Sequence, residues 1–275
     1  MLSENARHFT KDNLDLYLKE LAKEYRHLNG KNVEAEIIMV GGAAILANYG
    51  FREMTTDVDA IIHASSSMKE AINRTGDKFN LPNGWLNADF MRTVSYSPKL
   101  NLHSKHYKIF SGVLRVRIVS AEYLVAMKLK SGRDYKHDLS DIVGILAEHQ
   151  KSSTPLTMQN ISKAVTDLYG GWEAIPSHSK SFIEDVLKKG NFEAMYAEIC
   201  SKEKSDKDLV VFFERKYPGV LAQDNVHEVL EKCKKKSSLL EQIEEAKKKQ
   251  SEQHSDFCSE KEKNEQNFKK SKGKS

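Results

Sequence analysis

Asp57 and Asp59 stand two residues apart in the run Thr55-Thr56-Asp57-Val58-Asp59-Ala60-Ile61-Ile62. The run reads as a strand, in which residues i and i+2 point to the same face, so the two carboxylates sit side by side about 7 Å apart. Two such charges repel unless a cation lies between them. Carboxylate oxygens are the ligands a hard divalent ion such as Mg²⁺ takes, commonly together with substrate phosphates. Metal-assisted chemistry on a nucleotide is therefore the first reading. The plainer reading is a solvated strand face. Against it, Ile61 shares the aspartates' face while Val58, Ala60 and Ile62 share the other, so neither face is simply wet.

The elements before and after this strand fit the same chemistry. Ile37 to Val40 reads as a strand running into Gly41-Gly42, and then into a helix carrying Ile45, Leu46 and Tyr49 that stops at Gly50. A residue without Cβ lets the chain turn sharply and lets a phosphate approach the main chain. The N–H groups opening the helix at Ala43 would face that phosphate. Further on, Ser120 is placed to cap a helix with Leu124, Met127 and Leu129 turned inward, and Gly132 breaks it before a second helix with Ile142, Ile145 and Leu146. Lys128 projects from the first helix. Asp138 and Asp141, three apart, share a face of the second. Lys128 as a point charge and Arg133 as a planar fork of donors would neutralise β- and γ-phosphates. Ordinary ion pairs on a helix surface are the alternative for these four residues.

Gly41-Gly42, the spacing to Asp57-Val58-Asp59 and the lead-in Arg52…Thr55-Thr56 resemble the signature of the nucleotidyltransferase superfamily, with its polymerase β-like fold, and in particular the AbiEii-like toxins and related minimal nucleotidyltransferases. The segment from Leu124 to Ile142 is similar to their downstream Lys…Arg…Asp-x-x-Asp block, so the likeness covers roughly residues 35 to 147, about one small domain. The resemblance implies that Asp57 and Asp59 bind divalent metal, Mg²⁺ or Mn²⁺, and the triphosphate of a nucleoside triphosphate. Asp57, Asp59 and Lys128 are then the catalytic residues, and Gly41, Gly42, Thr55, Arg133, Asp138 and Asp141 the nucleotide-binding ones. It also implies an RNA acceptor such as tRNA, or a protein hydroxyl, and a cognate antitoxin as partner.

One departure stands out. Many members of the superfamily carry a third carboxylate on a later strand beside the Asp-x-Asp pair. The candidate strand here, Val113 to Val119, has arginines at its polar positions. Asp89, in Leu86-Asn87-Ala88-Asp89-Phe90, is a substitute, and metal polarisation of the substrate hydroxyl is another. Without a third carboxylate the chain could be a silent nucleotide sensor. An RNA-binding module that inherited the fold and an antibiotic-modifying transferase are further alternatives.

The remaining elements frame this core. Asn13 to Leu28 reads as an amphipathic helix closed by Gly30, and Ser66 to Phe79 as another. Asn83-Gly84 reads as a turn. Tyr107 to Phe110, Ser111-Gly112 and Val113 to Val119 read as a hairpin. His103 and His106 have metal-like spacing but no third ligand nearby, and are expected to face solvent. From Leu156 to Phe213 the apolar residues recur at helical spacing, with the stripe expected to face inward. The fold expected is α+β: a small mixed sheet with flanking helices over residues 1–150, an all-helical domain over 151–230, and a charged helical to disordered tail over 231–275.

Composition sets the limits. With 275 residues and 39% hydrophobic content the chain can form two domains with a buried core. It has no apolar run long enough to span a bilayer, and the polar opening residues through His8 contain no apolar leader. Cys200, Cys233 and Cys258 are too few and too far apart for a disulfide framework or a zinc cluster. A cytoplasmic protein without membrane contact is expected. From Glu231 on there are 13 Lys against 9 Asp and Glu, which accounts for the whole net charge of +4. Such a tail is either a solvated mixed-charge segment or a salt-sensitive grip on nucleic acid.

Overall fold

The computed structural model describes residues 8–133, 135–222 and 225–235. They fall into two compact units, one up to Ser205 and one from Asp206 on. The tail expected to fray beyond residue 235, and the opening residues before His8, lie outside the described residues.

In the first unit the elements run α1 (Lys11–Asn29), β1 (Ala35–Met39), α2 (Gly41–Asn48), β2 (Val58–His63), α3 (Met68–Phe79), β3 (Leu86–Asn87), β4 (Ser104–Phe110), β5 (Leu114–Val119), α4 (Ala121–Ser131), α5 (Asp138–Lys151), α6 (Met158–Tyr169) and α7 (Ser177–Lys189). A further helix, α8 (Phe192–Lys216), crosses the boundary between the units. The protein is α+β, as expected, and its five strands form one mixed sheet in the order β3-β2-β1-β5-β4. β1 pairs antiparallel with β2 and parallel with β5, β2 parallel with β3, and β4 antiparallel with β5.

The near-continuous apolar run of β1 marks a strand covered on both faces. Ile37, Ile38 and Met39 have no exposed surface, and Ile37 and Ile38 face Ile62 and Ile61 across the β1–β2 ladder. β5 alternates instead, burying Leu114, Val116 and Ile118 while its arginines point outward or sit half-buried. α1 packs on α3, α4 packs on α5, α6 and α7, and α2 lies against β2. The hairpin turn has positive φ at both central residues, Ser111 (52°) and Gly112 (71°), the combination that matches the twist of two paired strands.

Several local expectations are adjusted. Ser120 is the N-cap of α4 but makes no side-chain cap bond. α2 ends at Asn48 with Tyr49, rather than Gly50, just past it. His103 does not simply face solvent: it stacks on Tyr123 with ring centroids 3.8 Å apart. In the second unit Val211 and Phe212 are exposed, so the apolar stripe does not face inward throughout.

Candidate functional site

β2 delivers the aspartate pair to the sheet end next to α2. Asp57 is exposed immediately before the strand, and Asp59 is half-buried within it. Val40 N–H donates to the Asp59 carbonyl at 3.0 Å, tying the start of α2 to the pair. Gly41, the first residue of α2, has φ 56°, and a Cβ there would lie 3.6 Å from Asp59 Oδ2. Val40 caps α2 without a side-chain bond, so no side chain of the cap residue occupies the first-turn N–H groups. Burial, and then the charge of Asp57, push the Asp59 carboxyl up to about 6, with Asp89 adding to the rise while Lys128 and Arg133 oppose it. Three carboxylates thus share one electrostatic environment.

The third of them, Asp89, is the substitute named from the sequence, and it follows β3 instead of standing on β5. β5, with its arginines, pairs with β1 and is not a neighbour of β2. Arg117 instead lies 3.5 Å from Glu36, and Arg115 lies 3.6 Å from Glu34. The outer neighbour of β2 is the two-residue β3, whose Asn87 is in register with Asp59. Asp89 follows two residues later in a 3₁₀ turn, Asp89–Arg92, with a largely exposed side chain.

Opposite the carboxylates lies a buried ionic chain. Lys128 Nζ is 2.8 Å from Asp138 and 2.9 Å from Asp141. Arg133 donates from Nε to Asp138 Oδ2 at 2.8 Å and from Nη2 to Oδ1 at 3.2 Å. Arg52 Nη1 reaches both oxygens of Asp141, at 2.6 and 2.7 Å. Burial works against ionised Asp138, but the Lys128 ammonium and the Arg133 guanidinium outweigh it and hold the carboxyl well below the usual carboxylate range. Burial likewise opposes charged Lys128, and Asp138 and Asp141 overcome it, raising the ammonium. Three cations against two anions leave this cluster with a surplus of positive charge.

A cavity of about 220 Å³ joins the two sides. Asp59, Asp89 and Gly41 line one part of it, Lys128, Arg133 and Asp138 another. Val40, Phe90, Leu124 and Met127 supply apolar surface, and Thr93, Ser95 and Ser131 supply hydroxyls. Asp57, Gly42, Thr55 and Asp141 are not part of this lining, Asp57 lying exposed just before β2. A Cβ on Gly42 would lie 2.6 Å from Thr55 Oγ1 and 3.0 Å from Arg52 Nη2, so the packing leaves no room for a side chain there. Thr55 is buried and forms a two-way backbone bridge with Phe9, at 2.8 and 2.9 Å. Asp141 sits behind Lys128, gripping Arg52.

Among the described residues no three His, Cys, Asp or Glu side chains form a cage for a metal ion. The donor set still fits Mg²⁺, which is commonly held by one or two carboxylates together with substrate phosphates rather than by an all-protein cage. The Asp59 carboxyl, raised by burial and by the charge of Asp57, is what such an ion would relieve.

Arg52 and Glu203 are site residues that local sequence reasoning left without a role. Arg52 belongs to the quoted lead-in, but its partner Asp141 is 89 residues away. Glu203, on α8, accepts from Leu139 N–H and Ser140 N–H at 2.9 and 3.1 Å, at the start of α5. No local pattern signals either contact. Lys136, in the loop before α5, has an ammonium pushed down by partial desolvation of its charged end and by Arg133, although much of the side chain is exposed.

Residues 17–165 match the model of a family described as "Nucleotidyltransferase of unknown function (DUF6036)". No curated protein and no solved structure matches the chain. The matched stretch contains every residue that lines the cavity, from Val40 to Asp138.

Proposed function

Since the chain belongs to the nucleotidyltransferase family DUF6036, we propose that it transfers a nucleoside monophosphate from a nucleoside triphosphate to a hydroxyl, releasing pyrophosphate. The observation that carries this reading is one cavity with Asp59 and Gly41 on one side and Lys128 and Arg133 on the other. Asp57 and Asp59 hold Mg²⁺ or Mn²⁺, with Asp89 beside them. When bound, the ion stabilises charge on the attacking and leaving oxygens. Gly41 lets the triphosphate approach the backbone, and the open N–H groups of α2 face it. Lys128 and Arg133 offset the charge that builds on the β- and γ-phosphates as the bond from the α-phosphorus to its bridging oxygen breaks. The acceptor hydroxyl attacks the α-phosphorus and loses its proton. Asp89, whose carboxylate is exposed at the cavity, is within the chemistry of a general base for that proton. Asp138 and Asp141 hold these two cations in place, and Arg52 anchors Asp141.

Transfer to RNA such as tRNA, or to a protein hydroxyl, and a role in a toxin–antitoxin or phage-defence pair with a cognate antitoxin, rest on the likeness to AbiEii-like toxins. A small-molecule acceptor such as an antibiotic hydroxyl uses the same core. A silent nucleotide sensor was favoured by the lack of a third carboxylate, and Asp89 at the cavity weakens that ground. Incubation with Mg²⁺, α-labelled nucleoside triphosphates and either cellular RNA or a protein extract tests the reaction. Label in a macromolecule, absent for Asp57→Ala, supports transfer. Pyrophosphate release with no acceptor labelled points to a small-molecule hydroxyl, and triphosphate binding without release points to the sensor.

A further inference from the structure

α5 starts with a turn that its own sequence does not cap. The first N–H groups of a helix need acceptors from outside it. His137, at the N-cap, makes no side-chain cap bond. The acceptor is Glu203 Oε1, which takes Leu139 N–H and Ser140 N–H from 64 and 63 residues away. Glu203 is 3% exposed, its other oxygen accepts no hydrogen bond, and His137 Nδ1 lies 3.7 Å from that oxygen. Burial pushes this carboxyl up to about 7, the bonds from Ser140 and Leu139 acting against the rise and Asp141 adding to it. For helix stability alone, a Ser, Thr, Asp or Asn at the N-cap would serve without burying a carboxylate.

The turn held in this way carries the anions that aim the site's cations. Asp138 opens it and grips Lys128 and Arg133, and Asp141, one turn on, grips Lys128 and Arg52. A displacement of this turn moves Asp138 and therefore both cations at once. We propose that Glu203 is a positioning residue: by fixing the first turn of α5 it sets where Lys128 and Arg133 meet the phosphates. This rests on the reading of the cavity as a triphosphate site.

The test uses the full chain and inorganic tripolyphosphate, without divalent metal, titrated by calorimetry at a temperature where circular dichroism shows every variant folded. Glu203→Gln keeps a side-chain oxygen for both N–H groups, and Glu203→Ala removes it. Glu203→Ala should weaken binding about tenfold, and Glu203→Gln should restore it to within about threefold of the unmutated protein. Should Glu203→Ala not fold, Glu203→Asp, which withdraws the carboxylate by one methylene, takes its place with the same expectation. A merely structural cap lowers the melting temperature and leaves the affinity of the folded protein unchanged, and that result overturns the proposal. So does Glu203→Gln falling as far as Glu203→Ala. If the unmutated protein binds no tripolyphosphate either without metal or with Mg²⁺ added, the triphosphate reading fails and this inference with it, an outcome distinct from equal binding by all variants.

Discussion

Lys128 holds its ammonium 2.8 Å from Asp138, an aspartate whose side chain has no exposed surface. Removing one member of a buried ion pair strands its partner in a medium that solvates charge poorly. Lys128→Met leaves Asp138 to Arg133, and Asp141 to Arg52, each having lost one cation. The expected cost is about 3 kcal/mol of unfolding free energy, read by urea denaturation. Stability unchanged within error would mean that solvent already screens this chain of charges.

The two glycines should fail in different ways. Gly41→Ala places a side chain at φ 56° with only an ordinary contact to Asp59. It should cost about 1 kcal/mol. Gly42→Ala drives a Cβ to 2.6 Å from Thr55 Oγ1 and 3.0 Å from Arg52 Nη2, and Thr55 is pinned by its bridge to Phe9. It should cost about 2 kcal/mol or more and disturb the Arg52–Asp141 pair. Denaturation midpoints give the order, and Gly41→Ala proving the worse would contradict this placement.

Glu203 makes stability depend on pH in a defined window. Its carboxyl titrates near 4.5 when unfolded and at about 7 in the fold. Between those values the folded chain holds a proton that the unfolded chain has lost, so this contribution is full below about 4.5, falls as pH rises to about 7, and is flat above. Glu203→Gln removes it. Relative to the unmutated protein, the variant should therefore be more stable at pH 8 than at pH 5, as measured by chemical denaturation at both. Parallel curves would show that Glu203 does not titrate there.

If the Asp57–Asp59 pair holds Mg²⁺ as proposed, Asp59 sets the pH dependence of that binding. With its carboxyl at about 6, protons compete with the cation below that value. Magnesium affinity, measured by calorimetry with the metal alone, should rise between pH 5 and 7 and then level off, with proton release at the acidic end. An affinity that does not change with pH would remove Asp59 from the metal's ligands.

Much of this architecture was legible because it is local. The helix read from Asn13 to Leu28 is α1, Lys11–Asn29, and the one read from Ser66 to Phe79 is α3, Met68–Phe79. The Ser111-Gly112 turn and the strands beside it follow from period-2 patterning and a turn with positive φ. Gly132 ends α4 in the left-handed conformation expected of a helix stop. What could not be read is non-local. β3 is two residues long and carries no periodicity, yet its pairing with β2 is what brings Asp89 towards Asp59. The arginines of β5 looked like a missing carboxylate only on the assumption that β5 neighbours β2, and sheet order is not written in strand patterns. Arg52–Asp141 and Glu203–Leu139 join distant segments, and a buried charge gives no sign in sequence of the partner that makes its burial tolerable.

In the proposed reaction nucleotidyl transfer depends on the Asp57–Asp59 pair. The most direct measurement incubates the purified chain with Mg²⁺, each α-labelled nucleoside triphosphate in turn and total cellular RNA, beside an Asp57→Ala/Asp59→Ala control shown to be folded. The expected result is label entering RNA with the unmutated protein and none with the control. Equal labelling by both proteins would contradict the assignment of the chemistry to these two carboxylates.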